Sequence, residues 1–240
     1  SDPALPTDGE NLCMQAAGAL ADAFGIEDGA ALHLDKRVPY GAGLGSGSSD
    51  AAATLRLLTR LWDLRPGRDE LHRISCAIGA DVPFFLKETP AAYATGRGDD
   101  LTPLRRNGDP YRLPCSVLVA VPPVEVSTPE AYGRVTPNDA DRPHLPSLLR
   151  TDDLARWRAS LVNDFEAPIR AAYSEVSAAF DWLRSEGADY VSLSGSGGAV
   201  YGLFDDPERA KAVRRRGAER TERVHLTRPA ESRPSDSVGS

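Results

Sequence analysis

The sequence predicts an α+β fold of two domains, and three observations support this prediction. Apolar residues follow helical spacing in some segments and strand-like patterns in others along the 240 residues. Turn-forming residues cluster at residues 106–114, near the middle of the chain. Beyond them, the order strand, helix, two strands, helix suits a split βαβ sandwich. The expected domains span residues 1–110 and 115–228, followed by a disordered tail over 229–240 that has no core residues.

The first half of the chain contains helical and strand-like segments in turn. Residues 11–25 have apolar side chains at helical spacing and end on a glycine, which predicts a helix. Residues 30–39 alternate leucines with polar neighbours, which predicts a strand. Helices are then expected from about Ser49 onward and over 68–79. Residues 91–104 have the pattern of a strand pair around a glycine-containing turn.

The second half supplies the elements of the predicted sandwich. Residues 115–122 ("CSVLVAVP") form a continuous apolar run, which is typical of a buried strand. One helix is expected over 164–186, with Phe165, Ile169, Phe180 and Leu183 on its apolar side. Residues 190–204 predict two strands about a Gly-Ser turn, and 207–220 predict a closing helix.

Charge and cysteine content exclude some classes of function. The net charge is −7, from 28 basic and 35 acidic side chains, which argues against a nucleic-acid partner. The three cysteines are scattered and have neither zinc-ligand spacing nor the even number of a disulfide framework. No apolar run is long enough for a membrane helix, and the first residues are not a signal peptide. We therefore expect a cytoplasmic protein that acts on a small molecule, without a membrane or nucleic-acid partner.

A glycine-rich loop at residues 38–49 ("VPYGAGLGSGSS") lies between a predicted strand and a predicted helix. Glycine lets backbone amides approach a ligand closely, and the start of a helix attracts anions. The loop lacks the Gly-Lys-Ser/Thr of a Walker loop, and it misses Gly-x-Gly-x-x-Gly because Ser46 or Ser48 occupies the third glycine position. A phosphate site is favoured over a flexible linker. The serines Ser48 and Ser49 are candidates to cap the helix, contact phosphate or ligate magnesium.

Asp81 is an isolated acidic residue among apolar neighbours in "IGADVPFF", residues 78–85. One interpretation is an N-cap for a short turn that contains Pro83. The other is a general base that accepts a proton from a substrate hydroxyl. These residues alone favour neither interpretation.

Two further segments have both a structural and a functional interpretation. The stretch "SLSGSGGAV" at 192–200 is most simply a hairpin turn, and its alternative is a second backbone wall against substrate or phosphate. Thr128 follows a strand end, where ligand sites are common, but it also precedes a proline in ordinary turn chemistry. The four histidines lack metal-ligand spacing and are expected to be structural.

Together these motifs resemble the GHMP small-molecule kinases. The pattern Pro-x-x-x-Gly-Leu-Gly-Ser-x-Ser-Ser before a helix resembles the phosphate loop of that family, and the turn at 194–197 resembles its third motif. The stretches "DKRVPYGAGLGSGSSDAA", "IGADVPFFL", "AAYATGRGDDLTPL", "STPEAY" and "VNDFE" are similar to the branch that phosphorylates 4-diphosphocytidyl-2-C-methyl-D-erythritol, in the non-mevalonate isoprenoid pathway. The resemblance runs from about Asn11 to about Phe204.

The resemblance implies a fold, a reaction and a set of site residues. It implies an N-terminal α/β ATP-binding domain, a ferredoxin-like C-terminal domain, and Mg²⁺-assisted transfer of the ATP γ-phosphoryl group to a hydroxyl. Asp81 matches the catalytic aspartate of the family. The matching ATP-loop residues are Pro39, Tyr40, Gly41, Ala42, Gly43, Leu44, Gly45, Ser46, Gly47, Ser48 and Ser49. The expected substrate contacts are Thr128, Ser194, Gly195, Ser196 and Gly197.

The chain departs from the family pattern at its start. The opening strands of the family, with a lysine near an asparagine and a Tyr-His pair, have no match before Asn11. Lys36 belongs to the "KRVP" element and does not replace that lysine. We therefore expect an N-terminally truncated piece, or a gene start placed too late, that is nearly inactive as a kinase by itself. The alternatives are another GHMP kinase, of the homoserine or mevalonate type, and a non-catalytic nucleotide-binding remnant.

Overall fold

A computed structural model describes residues 8–87, 89–138, 140–218, 220 and 223–227. The chain divides into two compact units. The first contains the described residues up to Tyr40 together with Gly45–Leu104. The second contains Gly41–Leu44 and the described residues from Arg105 onward. The expected disordered tail at 229–240 lies outside the described residues. Among the helices of the described part, none has the length and apolarity needed to cross a membrane.

The first unit consists of four helices and a strand pair. Its elements are α1 (Leu12–Phe24), α2 (Ser46–Leu61), α3 (Arg68–Ile78), α4 (Val82–Leu86), β1 (Ala92–Thr95) and β2 (Asp100–Pro103). The strands β1 and β2 are antiparallel and pair Ala92 with Pro103. The predicted helices over 11–25 and 68–79 and the predicted strand pair are thereby confirmed. Helix α1 ends where Gly25 adopts the left-handed conformation, with φ of 64°.

Small side chains let the helices of the first unit approach closely. Ala16 and Leu20 of α1 and Ala51, Ala52 and Leu55 of α2 are completely buried in one cluster. Alanine brings little side-chain volume to a helix–helix contact, so the two backbones can lie near each other. This packing holds the start of α2, and with it the end of the glycine loop, on a rigid support.

The prediction of a strand at 30–39 is wrong, because residues 26–37 have no regular secondary structure. Leu32 is 38% exposed, so the alternating pattern does not mark a buried face there. A strand needs a partner for its backbone hydrogen bonds, and no described strand pairs with this segment. The alternating pattern shows which side chains are apolar and which are polar. It does not show whether another strand is available to pair with this segment.

In its described residues, the second unit has one short hairpin, six helices and a four-stranded sheet. Its elements are β3 (Arg105–Arg106), β4 (Asp109–Pro110), β5 (Ser116–Val121), α5 (Thr128–Arg134), α6 (Leu145–Leu149), α7 (Leu154–Ser160), α8 (Glu166–Ala172), α9 (Ser174–Ser185), β6 (Tyr190–Leu193), β7 (Val200–Phe204), α10 (Pro207–Gly217) and β8 (Arg223–Thr227). The turn formers at 106–114 do not form an extended linker throughout, because β3 and β4 pair as a small hairpin. The hydroxyl of the next residue, Tyr111, donates to the Leu149 carbonyl at 3.0 Å.

The sheet of the second unit has the strand order β6-β7-β5-β8, with all neighbours antiparallel. Helices α5–α9 connect β5 to β6, and α10 connects β7 to β8. The two β-α-β connections are thus interleaved in one sheet, which is the ferredoxin-like split βαβ arrangement. The predicted α+β class and the sandwich in the second half are confirmed.

Strand β5 is apolar from Val117 to Val121 because the sheet has packing on both faces. Leu118 and Ala120 are completely buried in a cluster with Phe180 of α9. Val117 alternates with them and packs on a second cluster around Trp157 of α7. The indole nitrogen of Trp157 donates to the Leu148 carbonyl at 3.0 Å, so this buried polar group is satisfied.

The single helix predicted over 164–186 is two helices, α8 and α9, that meet at Tyr173. Tyr173 has extended backbone angles, with φ of −127° and ψ of 104°, and therefore interrupts the helix. The apolar spacing continues across the break because both helices pack on the same core cluster. The closing helix α10 ends at Gly217, three residues before the predicted end at 220.

Candidate functional site

The end of the glycine loop forms the start of α2 in the first unit. Gly45 is the N-cap, with φ of 64°, and Ser46 is the first helical residue. The Ser46 hydroxyl donates to the Pro39 carbonyl at 2.9 Å and holds the two sides of the loop together. The first backbone bond of the helix runs from the Ser49 amide to the Gly45 carbonyl, at 2.9 Å.

Neither Ser48 nor Ser49 caps the helix, so that interpretation is wrong. The helix starts three residues earlier than expected and has no side-chain cap. The Ser49 hydroxyl instead donates to the Ser46 carbonyl at 3.0 Å. The amides in the first turn of a helix have no intrahelical acceptor, and they carry the positive end of the helix dipole. The start of α2 therefore has backbone donors of the kind that bind anions, although the loop motif contains no lysine.

Lys36 forms an ion pair with Asp50 in the first unit. Its side chain is only 8% exposed, and Asp50 lies in the second turn of α2. The contact ties the segment before the loop to the helix after it. Lys36 is thus occupied in shaping the loop, as expected for a residue of the "KRVP" element.

The centre of the loop packs against the second glycine-rich turn within the second unit. The Ala42 carbonyl accepts a hydrogen bond from the Ala199 amide at 3.0 Å. The Gly43 carbonyl accepts one from the Ser194 hydroxyl at 2.8 Å. A Cβ atom on Gly43 would lie 2.2 Å from the Ser194 carbonyl, and one on Gly197 would lie 2.2 Å from the Gly43 amide. Glycine is therefore required on both sides of this contact, and Gly43 also has a φ of 75°.

The second glycine-rich turn joins β6 to β7, so its interpretation as a hairpin turn is confirmed. The amide nitrogen of the Asn163 side chain donates to the carbonyls of Leu193 and Gly195, at 3.0 and 2.9 Å. Sequence reasoning assigned no role to Asn163. The signal was its place in "VNDFE", one of the stretches that resemble the kinase family.

Asp81 lies immediately before α4 in the first unit and is exposed. It occupies the N-cap position, but its side chain makes no capping hydrogen bond. Its backbone is held by the turn around it, since the Val82 amide donates to the Gly79 carbonyl at 3.1 Å. Val82 beside it is completely buried and anchors the turn to the core. The capping interpretation therefore loses its support, and the carboxylate is presented to solvent from a fixed backbone.

Thr128 is the first residue of α5 in the second unit, and its side chain is exposed. Ser127 caps this helix by accepting from the Glu130 amide at 3.3 Å, so capping does not require the Thr128 hydroxyl. The Tyr173 hydroxyl donates to the Glu130 carboxylate at 2.6 Å. This bond, with a further one from Arg134, holds the pKa of Glu130 below its usual value.

The expected site residues are thus distributed between the two units. Asp81 and Ser46–Ser49 belong to the first, whereas Gly41–Leu44, Thr128 and the turn at 194–197 belong to the second. Within the described residues, no group of three or more His, Cys, Asp or Glu side chains could hold a metal ion. A magnesium ion bound mainly through nucleotide phosphates needs only one or two side-chain oxygens, so it does not require such a group.

Two family models match this chain. The model described as GHMP kinases N terminal domain matches residues 11–88. The model described as GHMP kinases C terminal matches residues 146–222.

Curated relatives and solved structures point in the same direction. A protein of Salinibacter ruber named 4-diphosphocytidyl-2-C-methyl-D-erythritol kinase is 58% identical over 94% of this chain and 80% of its own length. One of the same name from Chlorobium phaeovibrioides is 41% identical over 89% of this chain and 73% of its own. The crystal structure of a 4-(cytidine 5'-diphospho)-2C-methyl-D-erythritol kinase has a TM-score of 0.74 at 32% identity, covering 92% of this chain and 79% of its own. A homoserine kinase from Cytophaga hutchinsonii, at 18% identity and a TM-score of 0.68 over 94% of this chain and 78% of its own, shares the fold.

Proposed function

Because this chain belongs to the GHMP kinases, we propose that it transfers the terminal phosphoryl group of ATP to a hydroxyl of 4-diphosphocytidyl-2-C-methyl-D-erythritol. The chain is an ATP-dependent small-molecule kinase of isoprenoid precursor synthesis. The observation that supports this choice of substrate is the 58% identity to the Salinibacter ruber kinase over 94% of this chain. The Cytophaga hutchinsonii homoserine kinase is only 18% identical to this chain, so its structural similarity supports the fold and not the choice of acceptor.

We assign ATP binding to the loop Pro39–Ser49. One support for this assignment is the set of first-turn amides of α2, which have no intrahelical acceptor. Another is the left-handed backbone of Gly43 and Gly45, with φ of 75° and 64°, which glycine adopts readily. The turn Ser194–Gly197 shapes the centre of that loop through its contacts with Ala42 and Gly43. We propose that this turn also faces the substrate, as the family resemblance implies. The corresponding domain assignment is an ATP-binding domain over 1–110 and a C-terminal domain over 115–228.

We assign the role of general base to Asp81. Its carboxylate accepts the proton of the acceptor hydroxyl while that oxygen bonds to the γ-phosphorus, and the bond from phosphorus to the bridging oxygen of ADP breaks. Support comes from an exposed side chain without a capping bond on a backbone held by Val82. Mg²⁺, when bound with ATP, neutralises charge on the phosphates.

We assign contact with the diphosphocytidyl substrate to Thr128. Its side chain is exposed at the first turn of α5, and Ser127 leaves its hydroxyl free of the capping role. A cytoplasmic location completes the proposal. It is supported by three cysteines that are all free thiols, as expected in a reducing compartment.

The test is a kinase assay that compares acceptors. The purified chain is incubated with ATP, Mg²⁺ and the diphosphocytidyl substrate, and phosphorylated product is detected by ³¹P NMR, with homoserine and mevalonate as alternative acceptors. In a version with the opening strands of the family added, we expect product from the diphosphocytidyl substrate only. Product from homoserine or mevalonate instead would reassign the acceptor. ATP binding without product from any acceptor, in the chain and in a version with the opening strands of the family added, would identify a non-catalytic nucleotide-binding protein.

A further inference from the structure

A cavity of about 390 Å³ lies beside the start of β6, within the second unit. Its size falls in the range of small-molecule sites. Three arginines from three different helices line it: Arg158 of α7, Arg184 of α9 and Arg209 of α10. This concentration of positive charge stands out in a chain whose net charge is −7.

Two of these arginines are held in place by one backbone segment. Arg158 donates through Nε to the Asp189 carbonyl at 2.8 Å and through Nη2 to the Ala188 carbonyl at 3.2 Å. Arg209 donates through Nη1 to the Gly187 carbonyl at 2.9 Å. Carbonyl acceptors orient a guanidinium group without neutralising its charge. Each group has five donors, so both keep further N–H groups for a ligand.

Arg184 is not part of that backbone clamp. Its guanidinium lies 5.6 Å from the centre of the Phe180 ring, and its side chain is exposed. A structural clamp after the end of α9 would account for Arg158 and Arg209, because cations are favourable at a helix C-terminus. Such a clamp gives no reason for a third cation at the same cavity.

Two acidic side chains face the same cavity, Glu166 and Asp189. Asp189 accepts a hydrogen bond from the Asp205 amide at 2.9 Å. Burial raises the pKa of Glu166, which reduces its tendency to carry charge. Three cations therefore face at most two anions, and the remaining charge is positive.

We propose that this cavity binds a small phosphate ester or diphosphate through Arg158, Arg184 and Arg209. Guanidinium groups match the geometry of phosphate oxygens and form charge-assisted bonds with them. Leu161 and Phe180 supply an apolar wall for a small organic part of the ligand.

This site is separate from the ATP loop. The cavity lies at the start of β6, at Gly187–Val191, whereas the turn that supports the loop follows the end of β6 at Leu193. Ser192 and Leu193 lie between the last cavity residue of the strand, Val191, and the turn, at roughly 3.3 Å for each residue. The residues that line the cavity are therefore different from those assigned to ATP binding.

Isothermal titration with inorganic pyrophosphate, in the presence of saturating ADP to block the ATP loop, tests the proposal. We expect binding in the native chain. Arg184→Gln should weaken it by about 10-fold or more, because one charge-assisted contact is lost. Arg184→Lys should retain part of the affinity. Arg214→Gln is the matched control, since Arg214 is exposed on α10 and does not line the cavity.

Circular dichroism and kinase activity should be unchanged in the Arg184 variants, because Arg184 is exposed and is not among the residues assigned to the ATP loop, the base or the substrate contact. Absence of pyrophosphate binding at millimolar concentration in the native chain would overturn the proposal. Equal affinity in Arg184→Gln and the native chain, or an equal loss in Arg214→Gln, would overturn it as well. Failure of the proposed kinase reaction would leave this binding measurement unaffected.

Discussion

At the scale of single residues, the proposed chemistry depends on two exposed polar side chains, Asp81 and Thr128, that do not cap the helices at whose starts they lie. Asp81 occupies an N-cap position without capping, and Thr128 begins α5 while Ser127 caps it. A polar side chain that is free of structural duties can be changed with little cost to folding. Substitutions at these positions therefore report on function.

In a version with the opening strands of the family added, Asp81→Asn is expected to reduce turnover by about 10²–10⁴-fold, the typical loss for a general base, with ATP affinity nearly unchanged. The amide preserves size but does not accept the proton. Steady-state kinetics with the diphosphocytidyl substrate measure the effect. Asp22→Asn, on the exposed side of α1, is the control for a lost surface charge. Turnover near that of the native enzyme would exclude Asp81 as the base.

Thr128→Val is expected to raise KM for the diphosphocytidyl substrate while KM for ATP stays constant. The change removes a hydroxyl and preserves shape, and a hydrogen bond of about 0.5–1.5 kcal/mol corresponds to roughly 2- to 12-fold. Ser127→Ala is an informative comparison, because it removes the cap of α5 and should act on stability. A rise in KM for ATP alone would show that Thr128 faces the nucleotide.

At the scale of elements, the glycine loop depends on the turn between β6 and β7. The Gly43 carbonyl accepts a hydrogen bond from the Ser194 hydroxyl, although the two residues are 151 positions apart in the sequence. Gly43 and Gly197 approach so closely that neither tolerates a Cβ atom. The shape of the proposed nucleotide-binding loop therefore depends on both segments together.

Gly43→Ala is expected to weaken ATP binding by at least 10-fold, because the added Cβ would lie 2.2 Å from the Ser194 carbonyl and must displace the loop. Fluorescence titration with a labelled ATP analogue measures the affinity. Gly25→Ala is the matched control, because Gly25 has a φ of 64° and open space around it. That control should lose about 1 kcal/mol of stability and keep its ATP affinity. Equal ATP affinity in the two variants would show that the loop tolerates the displacement.

Asn163→Ala is expected to weaken ATP binding without any contact of its own with the nucleotide. The side chain holds the turn through the carbonyls of Leu193 and Gly195, and its loss leaves these acceptors without that donor. Asn138→Ala, in an exposed segment, is the control. A change in unfolding free energy with unaltered ATP affinity would limit Asn163 to a role in stability.

At the scale of the whole molecule, the reactivity of the three free cysteines can be used to follow the unfolding of each unit separately. Cys13 is buried in the first unit and Cys115 in the second, whereas Cys76 is partly exposed. Burial raises the pKa of the Cys115 thiol to about 11, and it raises the pKa of Cys76 to a smaller extent. A raised pKa leaves little thiolate at neutral pH, and the thiolate is the reactive form.

At pH 8 we expect one thiol, Cys76, to react slowly with a disulfide reagent in the native protein. Cys13 and Cys115 should react only as urea unfolds their respective units. Spectrophotometric thiol counting measures this, and a Cys76→Ser variant should lack the native-state reaction. Rapid labelling of two or more thiols without urea would contradict the burial of these side chains.

The sequence by itself predicted the α+β class, the longer helices, two strand pairs, the family and the candidate site residues. These features depend on local patterns: helical spacing in α1 and α3, the apolar run of β5, and glycines and serines in a fixed order before α2. Only the tertiary structure decided which segments meet. It left 30–39 without a strand partner, divided the helix at Tyr173, and joined Gly43 to the turn at Gly197. Pairing and close backbone approach depend on residues far apart in the chain, and the local pattern of one segment carries no record of its partner.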